Sequence, residues 1–138
     1  MEIIKKNSVE YVPKKAALMT DWADKVDLNN PHPEYPRPQL VRQDWLSLNG
    51  VWDLDVEGHE TEKILVPFCV ESALSGVMKR FKAEDSLIYR RQFVISDAWA
   101  GRRILLRFEA VDYFTTVLVN GHRAGTHQGG ESCNISQL

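Results

Sequence analysis

Four carboxylates, Glu71, Glu109, Asp112 and Glu131, stand beside aromatic or glycine-rich sequence. Two carboxylates facing one bond are what glycoside hydrolysis needs, about 5–5.5 Å apart for retention and about 6.5–9.5 Å for inversion. The spacing of these four singles out no pair, so each reads as a solvated acid or a local hydrogen-bond acceptor, and no catalytic residue is assigned. Aromatic rings left in solvent can stack on the apolar face of a ligand. Trp45, Trp52, Trp99 and Tyr113 are the candidates. Trp52 shares the apolar face of a strand pattern and reads as core. Asp112-Tyr113 falls between two strand patterns, where no core claims the side chains. Those two, with His127, are the candidate substrate-binding residues.

Other chemistries lack their residues. The histidines His32, His59, His122 and His127 have no H-E-x-x-H spacing. His122 and His127 stand five apart on one strand pattern, which sends them to opposite faces. Cys69 and Cys133 form no C-x-x-C or zinc pattern and read as two reduced thiols, buried or half-buried. Gly129-Gly130 belongs to neither a dinucleotide fingerprint nor a phosphate loop. No G-x-S-x-G elbow occurs. No metal and no cofactor is expected. The 17 basic and 19 acidic residues give a net charge of −2 and are scattered, which leaves no footprint for nucleic acid. The longest apolar run, Ile64 to Val70, is interrupted by Pro67, whereas a membrane helix needs about 20 residues. No apolar stretch follows Met1-Glu2-Ile3-Ile4-Lys5-Lys6, so no secretory signal is read. A cytoplasmic protein is expected, and the sequon Asn134-Ile135-Ser136 reads as a chance match.

The elements that must position these residues begin after an unusual first third. At 138 residues the chain has room for one domain. Residues 1–45 read as an arm. Within it Leu18, Met19, Trp22 and Val26 have the spacing of a short helix over Lys15 to Leu28. Asn29 to Pro38 then carries four prolines in eight residues, which forbids helix and central strand and demands an extended path. Tyr35 and Trp45 argue that this arm lies on another surface rather than swinging free.

Residues 46–138 read as short strands. Asn49-Gly50 carries a turn signal. Trp52, Leu54 and Val56 alternate with Asp53 and Asp55 in a first strand, and Lys63 to Val66 is a second, ended by Pro67. Glu71 to Ser86 reads as loop with one helical turn. Leu87, Tyr89, Arg91, Phe93 and Ile95 share one face of a third strand, and Arg103 to Glu109 alternates as a fourth. Phe114 to Val119 and His122 to His127 flank Asn120-Gly121, a pair that tolerates the positive φ of a two-residue hairpin loop. Six short strands without alternating amphipathic helices predict an all-β sandwich. A sandwich usually needs seven or more strands, so the pattern reads as a domain stopped early, with at least one sheet edge unpaired.

An ordered set of motifs runs through this text: Tyr35-Pro36-Arg37-Pro38-Gln39, Arg42, Trp45, Leu48 to Trp52, Val66-Pro67-Phe68, Glu71 to Val77, Tyr89 to Phe93, Leu106-Arg107-Phe108, Ala110 to Tyr113, Val117 to Gly121 and His127 to Gly130. Their order and spacing resemble the N-terminal sugar-binding-type domain of family 2 glycoside hydrolases, the group of β-galactosidases, β-glucuronidases and β-mannosidases. The resemblance covers about residues 20 to 138. It implies a galactose-binding-like jelly roll, truncated, behind a Pro-rich N-terminal arm. It implies further that an immunoglobulin-like domain and a TIM barrel follow, the barrel carrying the acid/base and nucleophilic glutamates of a retaining mechanism. No position here matches either glutamate motif. The sequence departs from the family after Gly130, where Glu131-Ser132-Cys133-Asn134-Ile135 replaces an aromatic residue followed by proline and an apolar residue.

The expectation is therefore a non-catalytic piece of a β-glycosidase, supporting the active-site rim and the assembly of a homo-oligomer, with a β-glycoside as partner of the intact protein. A free-standing carbohydrate-binding module and a pure scaffold are the alternatives.

Overall fold

The computed structural model describes residues 10–130 and the backbone of 134–137. They form an all-β protein of antiparallel strands joined by loops and single 3-10 turns. The chain divides into two compact units, Met1–Phe93 and Val94–Leu138.

The first unit is built on a three-stranded sheet of order β2-β1-β3, with β1 at Gly50–Val56, β2 at Glu62–Val66 and β3 at Leu87–Arg90. Alternation in β1 works as the sequence predicts. Leu54 and Val56 point inward and join Ile64, Val70 and Val77 in a core, with Trp52, Val66, Phe81 and Leu87 packed around it. Asp53 and Asp55 take the other face and pair with Lys63 and Arg90 of the neighbouring strands. Leu54, Ile64 and Val77 are at most 1% exposed. Each such side chain contributes about 1.5–3 kcal/mol by leaving water.

Three expectations change here. The third strand stops at Arg90 instead of running to Ile95. Arg91 ends the ladder by carrying its guanidinium to the carbonyls of Leu48 and Asn49, both at 2.9 Å, and over the Trp52 ring. Asn49-Gly50 is not a hairpin tip. Gly50 opens β1 at φ 126°, where a Cβ would meet the Arg91 guanidinium at 2.8 Å, and the Asn49 side-chain amide donates to the Pro31 carbonyl. Cys69 is exposed, because the turn after Pro67 sends Val70 inward in its place; Cys133 lies outside the described residues.

The loop after β2 is tightly wired. A 3-10 turn at Ala73–Ser75 is capped by the Ser72 hydroxyl and closed by Gly76 at φ 83°. Ser75 is fully buried, and its hydroxyl lies within hydrogen-bond distance of the Val70 and Ser72 carbonyls and accepts from the Val77 and Met78 amides. Against this turn lies the segment around Tyr11. The Tyr11 hydroxyl donates to the Leu74 carbonyl at 2.7 Å, and the Lys14 amide donates to the Ala73 carbonyl. Burial raises the Tyr11 pKa.

Of the helix read over Lys15 to Leu28, one 3-10 turn forms, at Ala23–Lys25. In the Pro-rich stretch Pro31 is buried, Tyr35 and Trp45 meet with ring centroids 4.7 Å apart, and Pro38–Leu40 makes a second 3-10 turn.

The second unit contains β4 at Leu105–Phe108, β5 at Phe114–Val119, β6 at His122–Gln128 and β7 at Asn134–Gln137. β4 pairs with β7, and β5 with β6. The seventh strand goes beyond the six read from sequence; Ile135 is its one apolar residue, and Asn and Ser are poor strand formers. The β5–β6 hairpin turns on Asn120 and Gly121, at φ 51° and 81°, with Val119 opposite His122.

Candidate functional site

β5 and β6 start in register at Val119–His122 and lose it between Val117 and Leu118, where Ala124 is the extra residue. This bulge changes the phase of β6. His122 lies opposite Val119 and His127 opposite Thr115, and Val119 and Thr115 share a face of β5. The two histidines therefore fall on one face, not on opposite faces, because the bulge adds a residue that simple alternation does not count. On that face Thr115, Val117, Val119 and His127 are half-buried; Phe114, Thr116 and Leu118 of the other face are exposed.

At the open end of the hairpin the chain entering β5 meets the chain leaving β6. The Gly129 amide donates to the Tyr113 carbonyl at 2.9 Å. Gly129 adopts φ 133°, a conformation that favours glycine. Gly130 serves a different need. A Cβ there would lie 2.2 Å from Oδ1 of Asp112, so the carboxylate occupies the space a side chain would take. The Gln128 side-chain amide donates to the Tyr113 hydroxyl at 3.4 Å, and the Tyr113 and Phe114 rings meet edge to face at 5.1 Å. The corner thus places a carboxylate, a phenol and a primary amide side by side at the surface. Asp112 is exposed, as is Tyr113, at 56%. Among the described residues Asp112 has no hydrogen-bond or ion-pair partner.

Of the three residues read as candidates, Asp112 and Tyr113 adjoin in this corner. His127 lies one residue before Gln128, on the half-buried face of β6, and has a partner of its own. Sequence reasoning missed Gln128, Phe114 and the packing role of the two glycines. The available signal was a Gly-Gly pair directly after a strand, which marks close backbone approach.

The remaining candidates disperse. Trp52 is core, its indole N–H donating to the Leu48 carbonyl at 2.7 Å. Trp45 packs on Tyr35. Trp99 is half-buried in a 3-10 turn, Asp97–Trp99. Glu109 is paired with Arg107 at 3.0 Å. Glu71 acts on the first unit: it and Cys69 add to the burial that raises the Tyr89 pKa. Glu131 lies outside the described residues. A shallow hollow in the first unit, lined by Glu10, Val12, Lys14, Glu62, Lys63 and Gly76, contains no aromatic ring and offers no stacking surface. Among the described residues no group of three metal-ligating side chains converges, and no helix is long and apolar enough to cross a membrane.

Two comparisons with known proteins bear on the chain as a whole. No family model matches the chain. Among curated proteins it is similar to a β-glucuronidase of Bacteroides fragilis, 29% identical over 103 residues, which is 70% of this chain and 14% of that protein. It is similar as well to a β-galactosidase of Thermoanaerobacter pseudethanolicus, 29% identical over 94 residues, 63% of this chain and 12% of that protein. The chain thus spans about one seventh or less of the relatives it matches, and its relationship to glycosidases is distant.

Proposed function

We propose that this chain is an N-terminal, jelly-roll-type domain of a larger, cytoplasmic, retaining β-glycosidase. It acts by supporting the rim of an active site and the assembly of the enzyme, and carries no catalytic residue itself. The observation that carries the reading is the pair of relatives: both are named as β-glycosidases, and each matches over a small part of its length. The all-β fold, the motif order and the exposed Asp112–Tyr113 corner support it. In this reading the general acid and the nucleophile reside elsewhere in the polypeptide. A β-glycoside is the partner of the intact protein.

The test reads the open frame past the Leu138 codon and assays both lengths. A frame continuing into a barrel-length sequence, whose intact product cleaves a chromogenic β-galactoside or β-glucuronide while the 138-residue chain does not, is the expected result. A stop codon there, or turnover by the short chain that a single Glu substitution within it abolishes, overturns the reading. One observation favours a second reading, a free-standing carbohydrate-binding module: Tyr113 presents an exposed ring beside a carboxylate that has no partner among the described residues, which is the equipment for binding without catalysis.

A further inference from the structure

We infer that the free edge of β5 is a self-association surface, which pairs antiparallel with β5 of a second copy of this chain about a two-fold axis at Thr116. The inference stands apart from the glycosidase reading, because it needs only this strand and its backbone.

Among the described residues β5 pairs with β6 alone, so its second edge carries unpaired backbone groups. One bond fixes the phase of that edge. The Gly129 amide donates to the Tyr113 carbonyl, so Tyr113 turns its carbonyl toward β6. Backbone groups alternate sides along an antiparallel strand. Thr115 and Val117 therefore turn theirs toward β6 as well, and Phe114, Thr116 and Leu118 turn theirs to the free edge. The same three residues carry their side chains on the exposed face. The bulge does not interrupt them, since its extra residue, Ala124, belongs to β6.

Sheet edges are normally guarded by charge, proline or a covering element. Glu62 and Lys63 stand on β2, Arg90 on β3 and Arg107 on β4. β5 reads Phe-Thr-Thr-Val-Leu-Val, with neither charge nor proline, and all but Leu118 are β-branched or aromatic strand formers. Phe114 and Leu118 are 76% and 62% exposed, so the unguarded edge is also an apolar one.

The pattern is complementary to itself. Antiparallel pairing centred on Thr116 sets Thr116 opposite the same residue of the second copy, and sets Phe114 opposite Leu118 twice over. In each of these pairs the outward donors and acceptors of both strands meet, so both N–H···O bonds form. Each Phe–Leu pair adds a cross-strand contact on a face that is otherwise wet. One patch thus serves both partners, as a two-fold interface requires. Two phenylalanines, two leucines and the strand backbone fall short of the roughly 1,200 Å² of a stable complex, so the pairing is weak and reversible, with a Kd on the order of 100 µM.

The experiment is analytical ultracentrifugation of the 138-residue chain between about 5 and 500 µM, a range that brackets that Kd. The single-chain mass is expected at the low end and mostly the doubled mass at the high end. Leu118→Ala is expected to weaken pairing about fivefold, since symmetry removes two contacts at once. Thr116→Lys and Thr116→Glu, each alone, are expected to weaken it at least about fivefold by setting like charges opposite each other. An equal mixture of the two variants is expected to restore pairing, because only the two-fold register brings the opposite charges together. That rescue also shows that both variants are folded, which circular dichroism checks independently. A single-chain mass throughout the range, which leaves the edge to a strand from elsewhere, overturns the inference. So does a doubled mass that both substitutions leave unchanged, or a mixture that pairs no better than either variant alone.

Discussion

The two units are stabilised in different ways. In residues 10–93 the chain closes a core: Leu54, Ile64 and Val77 are out of water, and the buried Ser75 hydroxyl has four hydrogen-bonding neighbours. In residues 94–130 no residue reaches that degree of burial, and Phe114 and Leu118 stand 76% and 62% exposed. Order there comes from turn chemistry at Asn120-Gly121 and from the Gly129 amide bond to Tyr113. The side chains with chemistry to offer, Asp112 and Tyr113, sit in the second kind of structure. A ligand needs groups that folding has not already consumed.

Substitutions should separate the two regions sharply. The largest effect is expected at Gly76. Its φ of 83° strains any other residue, and a Cβ would lie 2.6 Å from the Tyr11 ring, so Gly76→Ala should cost about 2–5 kcal/mol from strain plus overpacking. Ile64→Ala should cost a similar amount, about 2–5 kcal/mol, as a cavity in the core. Leu118→Ala, by contrast, should change stability by less than about 0.5 kcal/mol, since its side chain is already wet. Urea midpoints followed by Trp52 fluorescence, with Trp22, Trp45 and Trp99 replaced by phenylalanine throughout, check all three. Equal losses at Ile64 and Leu118 would abolish the distinction.

Ser75→Ala comes next, at about 1–3 kcal/mol, because the buried Val77 amide loses its acceptor. Gly121→Val should cost about 1–3 kcal/mol of local stability, read by amide exchange across β5 and β6, since a β-branched residue resists the φ of 81°. If the cost appears equally in the Trp52 signal, the two regions unfold as one.

The smallest effect concerns Tyr89. Burial, then Glu71 and Cys69, raise its pKa above the usual 10, so the folded chain holds the phenolic proton more tightly than the unfolded chain. Its contribution to stability is complete below pH ~10 and falls as pH rises through the folded pKa. Absorbance titration should show two late-titrating tyrosines, Tyr11 and Tyr89, of which Glu71→Gln moves only Tyr89 part of the way back toward 10.

The strands around Trp52-Leu54-Val56 and the Asn120-Gly121 hairpin were legible because alternation and turn chemistry are local. What escaped the sequence depended on distant partners. Arg91 shortens β3 by reaching carbonyls more than forty residues away, and Asn49-Gly50 loses its turn to a bond with Pro31. β7 forms on backbone pairing with β4 despite poor strand formers. At the site, Asp112 and Tyr113 stood out as polar and aromatic residues between strands. Gln128 and Gly130 did not, since a bulge and a close approach bring them there.

Hydrogen exchange read by mass spectrometry, on the 138-residue chain, tests the account most directly. The slowest amides should lie in β1 and β2, and those of 94–130 should exchange faster. Uniform protection across both units would contradict it.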